Sequence, residues 1–181
     1  MANTLWTLGH STRPFEEFVE LLQTHGIRSV VDVRRFPSSR RNPQFNSDAL
    51  TRGLPSSGLR YAHLPGLGGR RPSSPDSPNL GWRNLSFRGY ADYMLTPTFQ
   101  QAMEELVRIA EAQPTAIMCA EAVPWRCHRS LIADAFLVRG WAAFDIVSPD
   151  HVSPHTLPSW AKFENGRLTY PGPVGSTGEL F

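Results

Sequence analysis

With 181 residues, 40% of them hydrophobic and 19% charged, the chain has the size and balance of one globular domain with a real core. No apolar run reaches the length of a membrane span, and Met1-Ala2-Asn3-Thr4 lacks the basic start and apolar stretch of a secretory signal, so a cytoplasmic protein without membrane association is expected. The net charge is only +2 and there are two cysteines; without a secretory signal these read as free thiols, metal ligands or catalytic groups, not as a disulfide framework.

Leu5 to Leu8 predicts a first strand, ending in a tight loop at Gly9-His10-Ser11. Pro14 suits a first helical turn, Phe15, Phe18, Val19 and Leu22 recur at helical spacing, and Gly26 marks the stop. Ser29 to Val33 is a mostly apolar second strand, parallel to the first across this βαβ unit. A long basic loop, Arg34 to Phe45, leads to a short helix from Ser47, with Ser47 as its cap, and to a third strand from Leu59 to Leu64.

Residues 70–84 are rich in Pro, Ser and Gly, a length that in a compact domain reads as a lid or a mobile segment. Tyr90 to Leu95 predicts a helical turn, and Thr96-Pro97 caps a patterned helix through Ala110. Thr115 to Met118 is a fourth strand, Ser130 to Arg139 a helix closed by Gly140, and Trp141 to Val147 a fifth strand. Asn165-Gly166 signals a small hairpin in the proline-rich tail, residues 148–181. The expected architecture is a three-layer, Rossmann-like α/β sandwich over residues 1–147, with a mostly parallel five-stranded sheet.

Parallel strands share one carboxyl edge, where ligands bind in such folds. That edge collects His10 and Ser11, Asp32 and Arg34, the Gly68-Gly69 turn, and Cys119 with Glu121. Asp32 and Glu121 form a candidate acid–base pair; alternatively each is ion-paired to an arginine, Arg34 and Arg129, and only organises its loop. Cys127 precedes a helix with Arg126, His128 and Arg129 beside it, surroundings that favour a thiolate. Neither cysteine has arginine five or six positions later, since Pro124 and Trp125 follow Cys119 and Ile132 and Ala133 follow Cys127, so the common phosphatase and rhodanese loops are excluded. Zinc held by Cys119, Cys127, His128 and His10 would match no common spacing, and no cofactor or metal is expected. Arginines crowd the middle third, with aromatics such as Phe36, Tyr61, Tyr93 and Trp125 among them. A phosphate-bearing partner, DNA or a nucleotide, would meet both groups; arginine-favouring codons would also produce the bias.

Thr7-Leu8-Gly9-His10-Ser11, Asp32-Val33-Arg34 with Pro37 and Ser39, Leu67-Gly68-Gly69, Tyr93, and Met118-Cys119-Ala120-Glu121 with Cys127-His128-Arg129 resemble the bacterial domain-of-unknown-function family numbered 488, over about residues 4–147. The resemblance implies that these motifs form the site, and that some relatives excise damaged purines from DNA. The expected catalytic residues are Asp32, Glu121 and His10. The expected substrate-binding residues are Ser11, Arg34, Ser39, Arg40, Tyr61, Gly68, Gly69, Tyr93, Trp125, Cys127, His128 and Arg129. The only lysine, Lys162, lies in the tail, so a Schiff-base lyase step is disfavoured and simple hydrolysis of an N-glycosidic bond is the coherent chemistry. The alternatives are a thiol-dependent sulfurtransferase using Cys127 or Cys119, and a non-catalytic nucleic-acid-binding module.

Overall fold

The computed structural model describes residues 3–172; residues 173–181 of the expected tail, and Met1 and Ala2 of the amino-terminal reading, lie outside them. The elements run β1 (Thr4–Gly9), α1 (Phe15–Thr24), β2 (Ser29–Asp32), α2 (Ser47–Ser56), β3 (Arg60–His63), α3 (Leu85–Met94), α4 (Pro97–Ala112), β4 (Thr115–Cys119), α5 (Arg129–Leu137), β5 (Ala142–Ser148), β6 (His151–Pro154), β7 (Lys162–Glu164) and β8 (Arg167–Thr169). Short 3-10 turns occur at Pro43–Phe45, Pro65–Leu67 and Pro124–Arg126.

The sheet is mostly parallel, as expected, but it has six strands in the order β3-β2-β4-β1-β5-β6. The added strand, β6, pairs antiparallel with β5 at the edge. Its four residues include Pro154, which a central strand would not tolerate but an edge strand does. Every residue of β2 and β4 is buried, because helices cover both faces of a parallel sheet. One face packs Phe18, Leu22, Leu50 and Leu54 of α1 and α2 on Leu8, Val30 and Met118. The other packs Met94, Met103, Leu106, Leu131 and Phe136 of α3, α4 and α5 on Leu5, Val31 and Ile117.

Two boundaries move for reasons of capping. Residues 85–89 are also helical, because Asn84 Oδ1 accepts from the backbone N–H groups of Ser86 and Phe87. Ser47 is not a cap but the first residue of α2. The preceding Asn46 spends its side chain on the Ser39 backbone N–H, fixing the basic loop instead.

The segment 70–84 is anchored. Asp92 of α3 accepts from the Ser74 backbone N–H, the Ser77 hydroxyl and the Asn79 amide, and Asn79 in turn accepts from the Tyr170 N–H. Beyond the sheet, β7 and β8 form the expected hairpin, with Asn165 and Gly166 both at positive φ as a two-residue turn of this kind requires. His155 and Tyr170 dock this part of the chain. His155 bonds Asp134 of α5 at 2.7 Å and Asp145 of β5 at 2.9 Å, Tyr170 donates to Asp134 at 2.7 Å, and Thr7 donates to Asp145 at 2.6 Å. Among the described residues no helix is long and apolar enough to cross a membrane.

Candidate functional site

β1 and β4 are neighbours in the sheet, yet the chain leaves them toward opposite faces, into α1 and α5. Divergence at that point opens a crevice at the carboxyl edge. A cleft of about 1160 Å³ lies there. Its walls are the turn after β1 with His10 and Ser11, the basic loop after β2, the Gly69-Arg70 turn, the amino end of α3 and the stretch from Cys119 to His128.

Close packing shapes the turn between β1 and β4. The parallel ladder pairs Gly9 with Cys119 and continues with the His10 N–H donating to the Cys119 carbonyl and Ser11 N–H to the Ala120 carbonyl. A Cβ on Gly9 would collide with the Glu121 carbonyl, so glycine is what lets the two loops touch. Ser11 and Arg70, both lining the cleft, sit at φ 51° and 60°, a region costly for residues with a side chain. Gly9→Ala is expected to destabilise the protein by about 1–3 kcal/mol, the usual cost of overpacking, read as a lowered Tm; an unchanged Tm would contradict this packing.

Asp32 is fully buried and fully occupied. Its Oδ1 accepts from the Arg34 backbone N–H and Nε, and its Oδ2 from Arg34 Nη2 and the Tyr61 hydroxyl, both at 2.7 Å. Burial, with Asp32 opposite, pushes the Tyr61 phenol up and keeps it a donor. His10 donates from Nδ1 to the Ser11 carbonyl, since a carbonyl only accepts, so its Nε2 takes the hydrogen of Arg34 Nη1 at 3.2 Å. Burial pulls the His10 pKa down to about 4, the Arg34 charge adding to the effect, and the neutral ring stacks on Phe45 at 4.3 Å.

At the other wall the two thiols touch, Cys119 Sγ lying 2.6 Å from Cys127 Sγ. Arg129 is fully buried behind them. It donates to Cys119 Sγ at 2.6 Å, to the carbonyls of Glu121 and Ala122, and through Nε to Thr7 Oγ1. His128 donates from Nε2 to the Val33 carbonyl at 2.8 Å, and its Nδ1 lies 3.6 Å from Cys127 Sγ. The hydrogen bond between the two sulfurs, reinforced by Arg129, brings the Cys127 thiol down to about 7 against the pull of burial, while burial pushes Cys119 up. Burial also lowers the His128 pKa, leaving a neutral ring.

The sequence model of the family described as Domain of unknown function DUF488 matches residues 14–136, about two thirds of the chain. The chain belongs to the DUF488 family. The match begins after the Thr7 to Ser11 motif and ends within α5, narrower than the resemblance drawn from the motifs. Comparisons with curated proteins and with solved structures returned no match.

In this DUF488 member the cleft brings together His10, Ser11, Arg34, Ser39, Gly69, Glu121, Trp125, Cys127 and His128. Six expected site residues fall elsewhere. Asp32 and Tyr61 sit behind Arg34, and Arg129 points inward from α5. Tyr93 donates to the Gly66 carbonyl with Arg71 over its ring at 3.8 Å. Gly68 packs where a Cβ would lie 2.7 Å from Arg35 Cα. Arg40 is exposed, and its neighbour Arg41 lines the cleft instead. Glu121 and Arg129 are not ion-paired through the carboxylate, because Arg129 takes the Glu121 backbone carbonyl. Nor do the histidines and thiols assemble a zinc site: among the described residues no group of three or more His, Cys, Asp or Glu is placed to hold a metal ion. Arg35, Arg70 and Phe87 also line the cleft, and the only signal for them was their place in the arginine-rich middle third and, for Phe87, among the aromatics interleaved with it.

Proposed function

We propose that the protein is a hydrolase acting on DNA or nucleotides, most concretely a monofunctional enzyme that cleaves the N-glycosidic bond of a damaged purine. The observation that carries this reading is the composition of the cleft wall. Arg35, Arg41, Arg70 and Arg126 line it without an ion-pair partner among the described residues, while Arg34 is neutralised by Asp32. Beside them stand Phe36 and Trp125, 67% and 68% exposed. Phosphates suit the guanidinium groups and an extrahelical base suits the rings. Of the carboxylates expected to act, Glu121 alone lines the cleft, its carboxylate without a hydrogen bond or ion pair among the described residues, whereas Asp32 would have to give up four hydrogen bonds to hold a water. Glu121 therefore activates water or stabilises the cationic sugar, and Asp32 holds Arg34 in place. Lys162 pairs with Glu164 in β7, outside the cleft lining, which favours hydrolysis without a lyase step.

The test is incubation with duplexes carrying hypoxanthine, uracil or an alkylated purine, scoring abasic sites by alkaline cleavage. Glu121→Gln is expected to lose excision by about 100-fold or more, the usual worth of a general base, while DNA binding in a gel-shift assay persists. Abasic sites on none of these duplexes, with binding retained, would leave a binding module instead of an enzyme.

A further inference from the structure

The glycosidic reading does not use the thiol pair. Cys119 ends β4, the chain turns through Pro124–Arg126, and Cys127 returns just ahead of α5. The two sulfurs are the only ones of cysteine in the chain, both border the cleft, and they are 2.6 Å apart. A buried guanidinium costs several kcal/mol to desolvate, yet Arg129 is fully buried with one N–H on the Cys119 sulfur. The Nε2 hydrogen of His128 is committed to Val33, so in the neutral ring Nδ1 is the unprotonated nitrogen; Cys127 Sγ lies 3.6 Å from it, and the Leu67 backbone also contacts the ring. The sulfurs border a cleft that is lined by arginines, Cys127 being the more open at 7% against 2% for Cys119.

We propose that Cys127 and Cys119 form a redox-active dithiol that reduces an organic disulfide whose carrier bears carboxylate or phosphate groups. Cys127 gives its proton to His128 Nδ1 and attacks one sulfur of the bound disulfide. The ligand S–S bond breaks, one half leaves as a thiolate and takes the proton from His128, and Cys127 holds the other half as a mixed disulfide. Cys119 then attacks Cys127 Sγ, Arg129 stabilising its thiolate. The second half leaves as a thiol, carrying the Cys119 proton, and a Cys119–Cys127 disulfide forms. Two electrons pass from the protein to the ligand, and an added dithiol restores the starting state. The lowered Cys127 and raised Cys119 pKa values accord with these roles; the charged or titratable groups facing Cys127 are Cys119, Arg129, His128 and Tyr90.

The experiment needs no DNA, so its outcome is separate from that of the excision assay. Reduced protein is mixed with oxidised glutathione, which is anionic, or with cystamine, which is cationic, and followed by intact-mass spectrometry. With oxidised glutathione the folded chain is expected to become lighter by two hydrogens, releasing two equivalents of glutathione. Its preference for oxidised glutathione over cystamine should exceed that of the urea-unfolded chain by about tenfold or more. Cys119→Ser should stop at a glutathione adduct on Cys127, and Cys127→Ser should stay unmodified. The proposal is overturned if wild type keeps its full mass, accumulates adducts on both cysteines, or shows the same preference folded and unfolded. Equal reactivity of Cys127→Ser and wild type overturns it as well. The wild-type readouts decide even if a serine variant fails to fold.

Discussion

Replacing Arg129 with methionine is expected to lower the free energy of unfolding by about 3–5 kcal/mol, the cost of breaking one side of a buried charged network. The side chain is fully buried, and it donates to Cys119, to the carbonyls of Glu121 and Ala122, and to Thr7. Methionine fills much of the volume but leaves two carbonyls and a hydroxyl without their donor, and each orphaned buried acceptor costs about 1–3 kcal/mol. Burial alone would pull the guanidinium pKa down, but the adjacent thiols hold it up, so the charge removed is a real one. Its loss also strips the thiol pair of its nearest cation, so the Cys127 thiol should titrate at higher pH in the variant, followed by alkylation rate. Urea denaturation gives the stability, and exposed Arg126 changed to alanine is the control, expected within about 0.5 kcal/mol of wild type. A loss below about 1 kcal/mol for Arg129→Met would mean that the network contributes little.

The inward turn of Arg129 also explains where the sequence stopped being readable. Strands β1 to β5 and the patterned helices α1 and α4 declare themselves by periodicity, because each has one covered and one open face or is apolar throughout. In α5, Arg129, Leu131, Ile132, Ala133, Asp134, Ala135 and Phe136 are all buried, so no polar face exists to say which way an arginine points. The same limit hides Asp134, whose partners His155 and Tyr170 come from far along the chain. Asp32 and Arg34 were legible both as a site and as an ion pair, and the second description matches their contacts. In the loop after β2 no period tells Arg40 from Arg41. Strand β6 escaped because four residues with a proline give no alternation to count. What the motifs did convey was convergence: His10, Arg34, Gly69, Glu121 and Cys127 reach one cleft from four separate segments.

Raising the pH from 6.5 to 9 should remove about 3 kcal/mol of stability through His155 alone. Burial by itself would lower this imidazole's pKa, but its bonds to Asp134 and Asp145 overcome burial and lift it to about 9. A group whose pKa is higher folded than unfolded binds more protons in the folded state. Its stabilisation is therefore complete below the unfolded value of 6.5 and fades as pH climbs through the folded value near 9. A shift of that size corresponds to about 3 kcal/mol, and the side chain is 10% exposed, so solvent screens it little. The carboxylates respond differently to the same contact: burial raises the Asp134 pKa, whereas His155 and Thr7 overcome burial and lower that of Asp145. Cys127 titrates in the same window with the opposite sign, since a depressed thiol pKa adds stability as pH rises. Comparison with His155→Gln isolates the histidine, because the cysteine contribution is common to both proteins. The stability difference between wild type and His155→Gln should shrink by about 3 kcal/mol between pH 6.5 and 9, measured by urea unfolding at each pH. A constant difference across that range would show that His155 is neutral in the folded protein and that the tail is docked by uncharged hydrogen bonds alone.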